Sequence, residues 1–170
     1  DGLLKNGKVT TFEGGLRVPC IFWWPGTVKT AVVHDIGSTL DVFATALSLS
    51  GAPADEGIDG MDLSATLTAG EPSPRDSIAY YRSGELQAFR KGLYNLRLVS
   101  EGAYGLPPKR TVHVTPQLFH LGQDPGENFD IADEQPEIVS ELQAAVEAHR
   151  AGLESREPIF DSRLKQLSAN

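Results

Sequence analysis

The chain has 170 residues, of which 40% are hydrophobic and 22% are charged, and its formal net charge is −8. This is the composition of an ordinary globular protein with one large or two small domains. The negative charge argues against nucleic acid as a partner, because phosphate binding requires a basic surface. No run of about 18 apolar residues is present that would span a membrane. The single cysteine, Cys20, excludes an internal disulfide and a cysteine-based zinc site.

The chain opens with a polar, glycine-rich stretch, residues 1–17, which is predicted to be a loop that carries Lys8. Residues 18–24, Val-Pro-Cys-Ile-Phe-Trp-Trp, then form a continuous apolar run that a Pro-Gly pair closes. An uninterrupted run of this length predicts a strand buried on both faces, as in a parallel sheet. Cys20 lies inside this run and is expected to be a small buried hydrophobic residue.

Glu13, followed by two glycines, and Arg17 stand just before this predicted strand. The stretch is not a phosphate-binding loop, because the GxGxxG spacing and the following helix are both missing. The glycines instead indicate a tight turn, and an ion pair between Glu13 and Arg17 is expected to hold the loop.

Residues 39–50 have the apolar spacing of a helix, with Leu40, Phe43 and further apolar residues on one face. Ser38 is the expected N-cap, and Gly51 is the expected C-terminal stop. Strand, loop and helix together make half of an α/β unit.

The sequence changes character at residues 70–76, a break rich in proline and serine. We place a domain boundary here, between residues 1–75 and residues 76–170. Residues 101–116 are predicted to be a long loop between the third and fourth of the strands that follow. Short alternating runs predict these antiparallel strands at Ser77–Arg82, Leu86–Arg90, Leu93–Val99 and Gln117–Leu121.

The third predicted strand and the last predicted helix define how this second part packs. Leu96 and Leu98 alternate with Asn95 and Arg97, which is typical of an antiparallel strand with one buried face. Residues 137–153 repeat apolar side chains at helical spacing and are expected to cover one face of the sheet, with Asp133 as a possible N-cap. The predicted fold class is therefore α/β (α+β), an α/β piece followed by a small four-stranded antiparallel sheet packed with a C-terminal helix.

Two residues are candidates for chemistry. Lys8 is either an ordinary solvated charge or an ammonium that holds a sulfate or phosphate oxyanion, with the preceding glycine allowing close approach. His113 lies in the long loop beside Lys109 and Arg110, where it is an ordinary loop residue or reaches an anionic substrate. The histidines show no metal-ligand pattern, the acidic residues show no calcium-loop spacing, and no G-x-S-x-G motif occurs.

Three motifs occur in a fixed order along the chain. Residues 7–26 read Gly-Lys-Val-Thr-Thr-Phe-Glu-Gly-Gly-Leu-Arg-Val-Pro, then the apolar run and Trp-Pro-Gly. Residues 35–70 contain a helix and an Asp-Gly-Met-Asp-Leu loop, and residues 116–142 contain Asp-Pro-Gly-Glu-Asn. Over nearly its whole length the chain thereby resembles the type I sulfatases, the arylsulfatase family of the alkaline phosphatase superfamily, and within it the arylsulfatase A type. The departures from the family pattern are Phe12 for tyrosine, Phe119-His120 for Tyr-Asp, and Asp130-Ile131-Ala132 for Asn-Leu-Ala.

The resemblance implies roles for the two candidates. Sulfatases hydrolyse sulfate esters with a formylglycine nucleophile made from a cysteine, while Ca²⁺ and cationic side chains hold the sulfate. By this resemblance Lys8 is the sulfate-binding lysine, a catalytic residue, and His113 is a substrate-binding residue near the pocket. Cys20 is not the nucleophile, because Cys-Ile-Phe-Trp-Trp is not the modification motif.

In the family, the nucleophile motif and the calcium-binding residues come before the first of these motifs. The resemblance therefore implies the C-terminal fragment of a sulfatase: the end of an alkaline-phosphatase-like α/β domain and a small C-terminal subdomain. No metal ligands and no cofactor are expected in this chain, which should be inactive alone, whereas Ca²⁺ and formylglycine are implied for the full-length parent. Asp1 in place of an initiator Met, with no signal peptide, agrees with a chain that begins partway through a longer protein.

Two alternatives stay open beside the sulfatase. One is a fragment of a related phosphonate or phosphodiester hydrolase of the same superfamily, and the other is a non-catalytic structural or interaction module. The expected partners are a sulfate-ester substrate for the parent and either a second copy of the chain or the missing N-terminal part. Members of the family are often periplasmic, secreted or lysosomal, and the residues of this chain favour none of these compartments.

Overall fold

The computed structural model describes residues 2–53 and 57–153. In these residues three helices precede a four-stranded sheet and one longer helix follows it, which confirms the predicted mixed α/β class. The helices are α1 (Glu13–Leu16), α2 (Asp41–Ser50), α3 (Ser64–Ala69) and α4 (Pro136–Ala151). The strands are β1 (Ser77–Arg82), β2 (Glu85–Lys91), β3 (Tyr94–Ser100) and β4 (Thr111–His120).

The sheet is an antiparallel meander in the order β1-β2-β3-β4. Its first two turns are tight, so each strand pairs with the next one along the chain. Ser83 and Gly84 both have positive φ, 50° and 81°, which is the backbone twist that a two-residue hairpin requires. Gly92 supplies the positive φ of the second turn. The register between β1 and β2 shifts at Gln87, an additional residue that allows both Leu86 and Phe89 to join the same apolar cluster.

Helix α4 covers one face of the sheet, as predicted. Its Leu142 and Val146 are each 2% exposed, and burying a side chain of this size stabilises the fold by about 1.5–3 kcal/mol. The predicted N-cap Asp133 is wrong: the helix starts at Pro136 after Gln135, because proline is accommodated at the first helical position. The buried core comprises Leu86, Phe89, Leu96, Leu118, Leu142 and Val146.

The opposite face of the sheet is also buried, although the alternation in β3 predicts only one buried face. Asn95 and Arg97 are both 0% exposed. The N-terminal residues 5–16 cross this face and bring Thr11, Phe12 and other side chains against it. The covering segment is distant in sequence, so the local pattern of β3 could not reveal it.

The predicted strand at residues 18–24 does not form. These residues have no regular secondary structure, and Ile21 and Trp23 are 88% and 83% exposed. The prediction that Cys20 is buried is likewise wrong, since its side chain is exposed. A strand requires neighbouring strands for its backbone groups, and the four strands of the described residues pair only with one another.

Helix α2 begins at Asp41, two residues later than predicted, and ends as predicted. Gly51 has φ 72°, and the amides after the helix donate to the carbonyls of Leu47 and Ser48, as in a Schellman motif. The predicted N-cap Ser38 is wrong, because the helix starts two residues later and Leu40 is its N-cap. The Ser38 hydroxyl accepts from the amide of Leu40 at 3.2 Å. The carboxylate of Asp41 accepts from the Ser38 amide in return at 2.8 Å.

Asp41 and Arg75 join the helical part of the chain to the segment ahead of the sheet. The Arg75 guanidinium donates to both carboxylate oxygens of Asp41, and Asp41 is 0% exposed. Burial raises the pKa of Asp41, but hydrogen bonds from Arg75 and from the amides of Met61 and Ser38 outweigh it and lower the pKa. The Pro/Ser-rich break is thus anchored at its Arg75 end.

Two further boundaries differ from those predicted. Glu13 and the two glycines form α1, one turn of helix, where a tight turn was expected. Strand β4 starts at Thr111, so the loop between β3 and β4 is shorter than the predicted 101–116. Among residues 2–53 and 57–153, no helix is long and apolar enough to cross a membrane.

Candidate functional site

Lys8 lies exposed at the tip of a compact loop formed by residues 5–13. The loop is closed internally, because Thr10 donates to the Gly7 carbonyl from both its amide (3.1 Å) and its hydroxyl (2.8 Å). Val9 has φ 78°, an unfavourable backbone conformation for a β-branched residue. Residues in such conformations persist only where the surrounding structure determines them, and they cluster at functional sites.

The two glycines after Glu13 are needed for the loop to close. The Gly14 amide donates to the Lys5 carbonyl at 3.0 Å. A Cβ atom on Gly14 would overlap the carbonyl oxygen of Asn6, and one on Gly15 would overlap that of Thr10. The glycine pair therefore permits a close approach of two backbone segments.

Glu127, in the segment between β4 and α4, joins the loop to the sheet. One carboxylate oxygen, Oε2, accepts from the Glu13 amide at 2.8 Å. The other, Oε1, accepts from the Arg97 guanidinium and from Nδ2 of Asn95. The backbone carbonyl of Glu127 accepts from Nζ of Lys5 at 2.7 Å. Glu127, which takes part in all of these contacts, is 0% exposed.

Arg97 extends the network from β3 to the loop. Its Nη2 donates to the carbonyl of Thr11 at 3.2 Å and its Nη1 to the Thr11 hydroxyl at 3.3 Å. The guanidinium carbon lies 3.7 Å from the centroid of the Phe12 ring, which is a stacked cation–π contact. The Thr11 hydroxyl donates onward to Oε1, the side-chain amide oxygen of Gln87, at 2.9 Å.

Glu13 has partners other than the predicted one. Its carboxylate accepts from the Tyr80 hydroxyl at 2.8 Å and from Arg90 at 3.2 Å, while Arg17 is exposed. The expected Glu13–Arg17 ion pair is therefore wrong. Burial, and then the negative charge of Glu13, raise the pKa of the Tyr80 hydroxyl, so Tyr80 stays a neutral donor.

His113 is half-buried on β4 and not on a loop as predicted. Its Nε2 lies 2.8 Å from the Ser100 hydroxyl. Burial, followed by the positive charge of Arg97, lowers the pKa of His113, while Asp130 acts in the opposite direction. In the described part of the chain no hydrogen bond or ion pair joins His113 to Lys8.

The sequence analysis did not predict this network, although it mentioned several of its members. Asn95 and Arg97 were assigned to the exposed side of a strand, and Glu127 was noticed only as part of Pro-Gly-Glu-Asn. The signal in the sequence is Arg97, a long charged side chain within a strand that is otherwise rich in apolar residues. Such a residue can indicate a buried ion pair.

The Ca²⁺ that the family resemblance implies does not fit the residues present. Across residues 2–53 and 57–153, no group of three or more His, Cys, Asp or Glu side chains is arranged to hold a metal ion. Each of the three buried carboxylates of the described residues, Glu13, Asp41 and Glu127, is already engaged with arginine and other donors. The described residues instead place an exposed cation, Lys8, on a loop whose two ends are hydrogen-bonded to Glu127.

Comparison with known proteins agrees with the resemblance. The family model described as the C-terminal region of aryl-sulfatase matches residues 73–169, and the sulfatase model matches residues 1–52. The chain belongs to the sulfatase family.

Among curated relatives, mouse N-acetylgalactosamine-6-sulfatase is 37% identical over 183 residues, covering 93% of this chain and 35% of that protein. Bovine arylsulfatase A is 36% identical over 161 residues, covering 85% of this chain and 32% of its own length. The chain therefore spans about a third of the curated relatives that it matches and corresponds to part of a sulfatase.

Solved structures show the same fold. A protein of multiple-glycosaminoglycan metabolism in Bacteroides thetaiotaomicron matches with a TM-score of 0.73 and 28% identity, over 88% of this chain and 32% of that one. A sulfatase from Pseudoalteromonas sp. matches with a TM-score of 0.75 and 24% identity, over 86% of this chain and 32% of that one, which supports the fold alone.

Proposed function

We propose that this chain supplies the sulfate-binding lysine and the C-terminal subdomain of a sulfatase that hydrolyses sulfate esters. The observation that carries the proposal is the position of Lys8. It is exposed on loop 5–13, and both ends of this loop are hydrogen-bonded to the buried residue Glu127. A compact ammonium held in a fixed place stabilises negative charge on a reacting sulfate, because it needs no rearrangement when that charge develops.

The remaining chemistry is proposed to come from a longer parent polypeptide. The nucleophile, formylglycine, and a Ca²⁺ ion belong to that part, and the division between the catalytic domain and the C-terminal subdomain is proposed at residues 75 and 76. His113 is proposed to line the substrate pocket. The chain alone is proposed to turn over no sulfate ester.

The first experiment measures hydrolysis of an aryl sulfate by the parent enzyme. Lys8→Ala should lower turnover at least about tenfold, since losing one donor aimed at a developing anion costs a few kcal/mol. Lys29→Ala, which changes another exposed lysine, is the matched control and should leave turnover unchanged. Equal turnover by the Lys8 variant and the control would contradict the proposed role.

The proposed partner is the part of the sulfatase that covers residues 18–24. When that part is absent, a second copy of this chain is proposed to cover the same residues. Ile21, Phe22, Trp23 and Trp24 expose apolar side chains on one short segment. Exposed apolar patches of this kind mark contact surfaces.

A further inference from the structure

Both ends of loop 5–13, which carries Lys8, are hydrogen-bonded to one residue, Glu127. At the start of the loop, Lys5 Nζ donates to the backbone carbonyl of Glu127 at 2.7 Å. At its end, the Glu13 amide donates to the Glu127 carboxylate at 2.8 Å. The hydrogen bonds within the loop fix its shape, but they do not fix where Lys8 lies relative to the rest of the molecule.

Glu127 is itself held tightly. Its carboxylate accepts from Arg97 and from Asn95 on β3, and its side chain is fully buried. Its backbone has φ 49°, the left-handed conformation that a glutamate seldom adopts. Its amide donates to the carbonyl of Asp124 at 3.1 Å, which fixes the turn. A strained backbone with a fully engaged side chain is typical of a residue whose position is determined from several directions.

A carboxylate is required at this position, because donors converge on both of its oxygens. Arg97 and Asn95 donate to Oε1, and the amide of Glu13 donates to Oε2. A glutamine amide would present a donor in place of one oxygen, so either the β3 side or the loop side would lose its acceptor. It would also leave the buried Arg97 cation without its counter-charge.

We propose that Glu127 is the positioning residue for Lys8: its buried carboxylate and its carbonyl fix both ends of loop 5–13 on β3, and so fix the point from which the ammonium meets the sulfate. This inference rests on the proposed sulfate-binding role of Lys8. Glu127 acts through the ammonium of Lys5 and the backbone amide of Glu13, and it does not touch the substrate.

The test on this chain is amide hydrogen exchange in Glu127→Gln. The amides of Glu13 and Gly14 should exchange at least about tenfold faster, because a charge-assisted hydrogen bond has been lost. The amides of β2 and β3 should keep their protection. Glu141→Gln is the matched control, since Glu141 is also a paired glutamate but lies on the α4 side of the sheet with Lys91. Unchanged protection at Glu13 and Gly14 in Glu127→Gln would overturn the proposal.

A second variant decides the outcome if Glu127→Gln unfolds the sheet. Lys5→Met keeps an apolar side chain of similar length and removes the ammonium, which donates to the Glu127 carbonyl and lies over the rings of Phe12 and Phe119. Faster exchange at Gly14, with β2 and β3 still protected, supports the proposal. Wild-type exchange at Gly14 in this variant refutes it.

A double-mutant cycle in the parent enzyme separates positioning from general stability. Glu127→Gln should lower kcat/KM for an aryl sulfate about tenfold in the presence of Lys8 and have little further effect in Lys8→Ala. Equal losses in both backgrounds would refute action through Lys8. If Lys8→Ala itself leaves turnover unchanged, the proposed function fails, whereas the exchange result still decides whether Glu127 holds the loop.

Discussion

Asp41 is the residue through which the helical part of the chain is tied to the segment ahead of the sheet. Its carboxylate is fully buried against Arg75, so Asp41→Asn leaves a buried cation without its counter-charge. We expect this change to lower the free energy of unfolding by about 3 kcal/mol or more, the usual cost of breaking a buried ion pair from one side. Urea denaturation measures it. Asp62→Asn, which changes an exposed aspartate, is the control and should cost less; equal midpoints for the two variants would contradict the expectation.

His113 should make the stability depend on pH in a defined direction. Because its pKa is lowered from 6.5 in the folded chain, the unfolded chain binds the proton more readily. The contribution is present above pH 6.5 and is lost as the pH falls through 6.5 towards the folded pKa. We expect the free energy of unfolding to fall from pH 7.5 to pH 5.5, and to fall less in His113→Gln.

The measurement for His113 is urea denaturation at the two pH values, together with an NMR titration of the imidazole. An imidazole pKa above 6.5 would show that Asp130, and not burial and Arg97, dominates its environment.

At the scale of elements, residues 18–24 have the apolar sequence of a buried strand, but the described residues supply no neighbouring strand for them to pair with. We expect self-association through this segment, so the mass from light scattering should rise with concentration. Ile21→Lys should keep the chain monomeric to higher concentration, because Ile21 is 88% exposed and a charge there opposes apolar contact. Val114→Lys is the control, at a fully exposed apolar residue on β4. Identical mass profiles for wild type and both variants would exclude this surface.

Strands β1, β2 and β3 and helix α4 were predictable because their signals are local, whereas residues 111–116 of β4 were assigned to a loop. Alternation of side chains, Gly-containing turns and the helical spacing after Pro136 all lie within each element. The segment 18–24 was predicted wrongly for the complementary reason: its apolar run shows a preference for a strand, but pairing depends on partners that the run itself cannot specify.

The candidate site was predictable only in part. Lys8 was found through the family motif around it, whereas its support was not, because Glu127 lies more than a hundred residues away in sequence. The partners of Glu13 were missed for the same reason, since Tyr80 and Arg90 come from the sheet and not from the loop.

At the scale of the whole molecule, residues 5–16 lie across the sheet formed by residues 77–120, while Asp41 and Arg75 tie the intervening helices to the same body. Heating should therefore melt both parts in one calorimetric transition, with equal van't Hoff and calorimetric enthalpies. Two separate heat-absorption peaks would show that the parts unfold independently. A single peak would mean that the chain cannot be divided at the Pro/Ser-rich break into two parts that fold independently. Residues 76–170 produced alone would expose Arg97 and Asn95 to water, and we expect them not to fold stably.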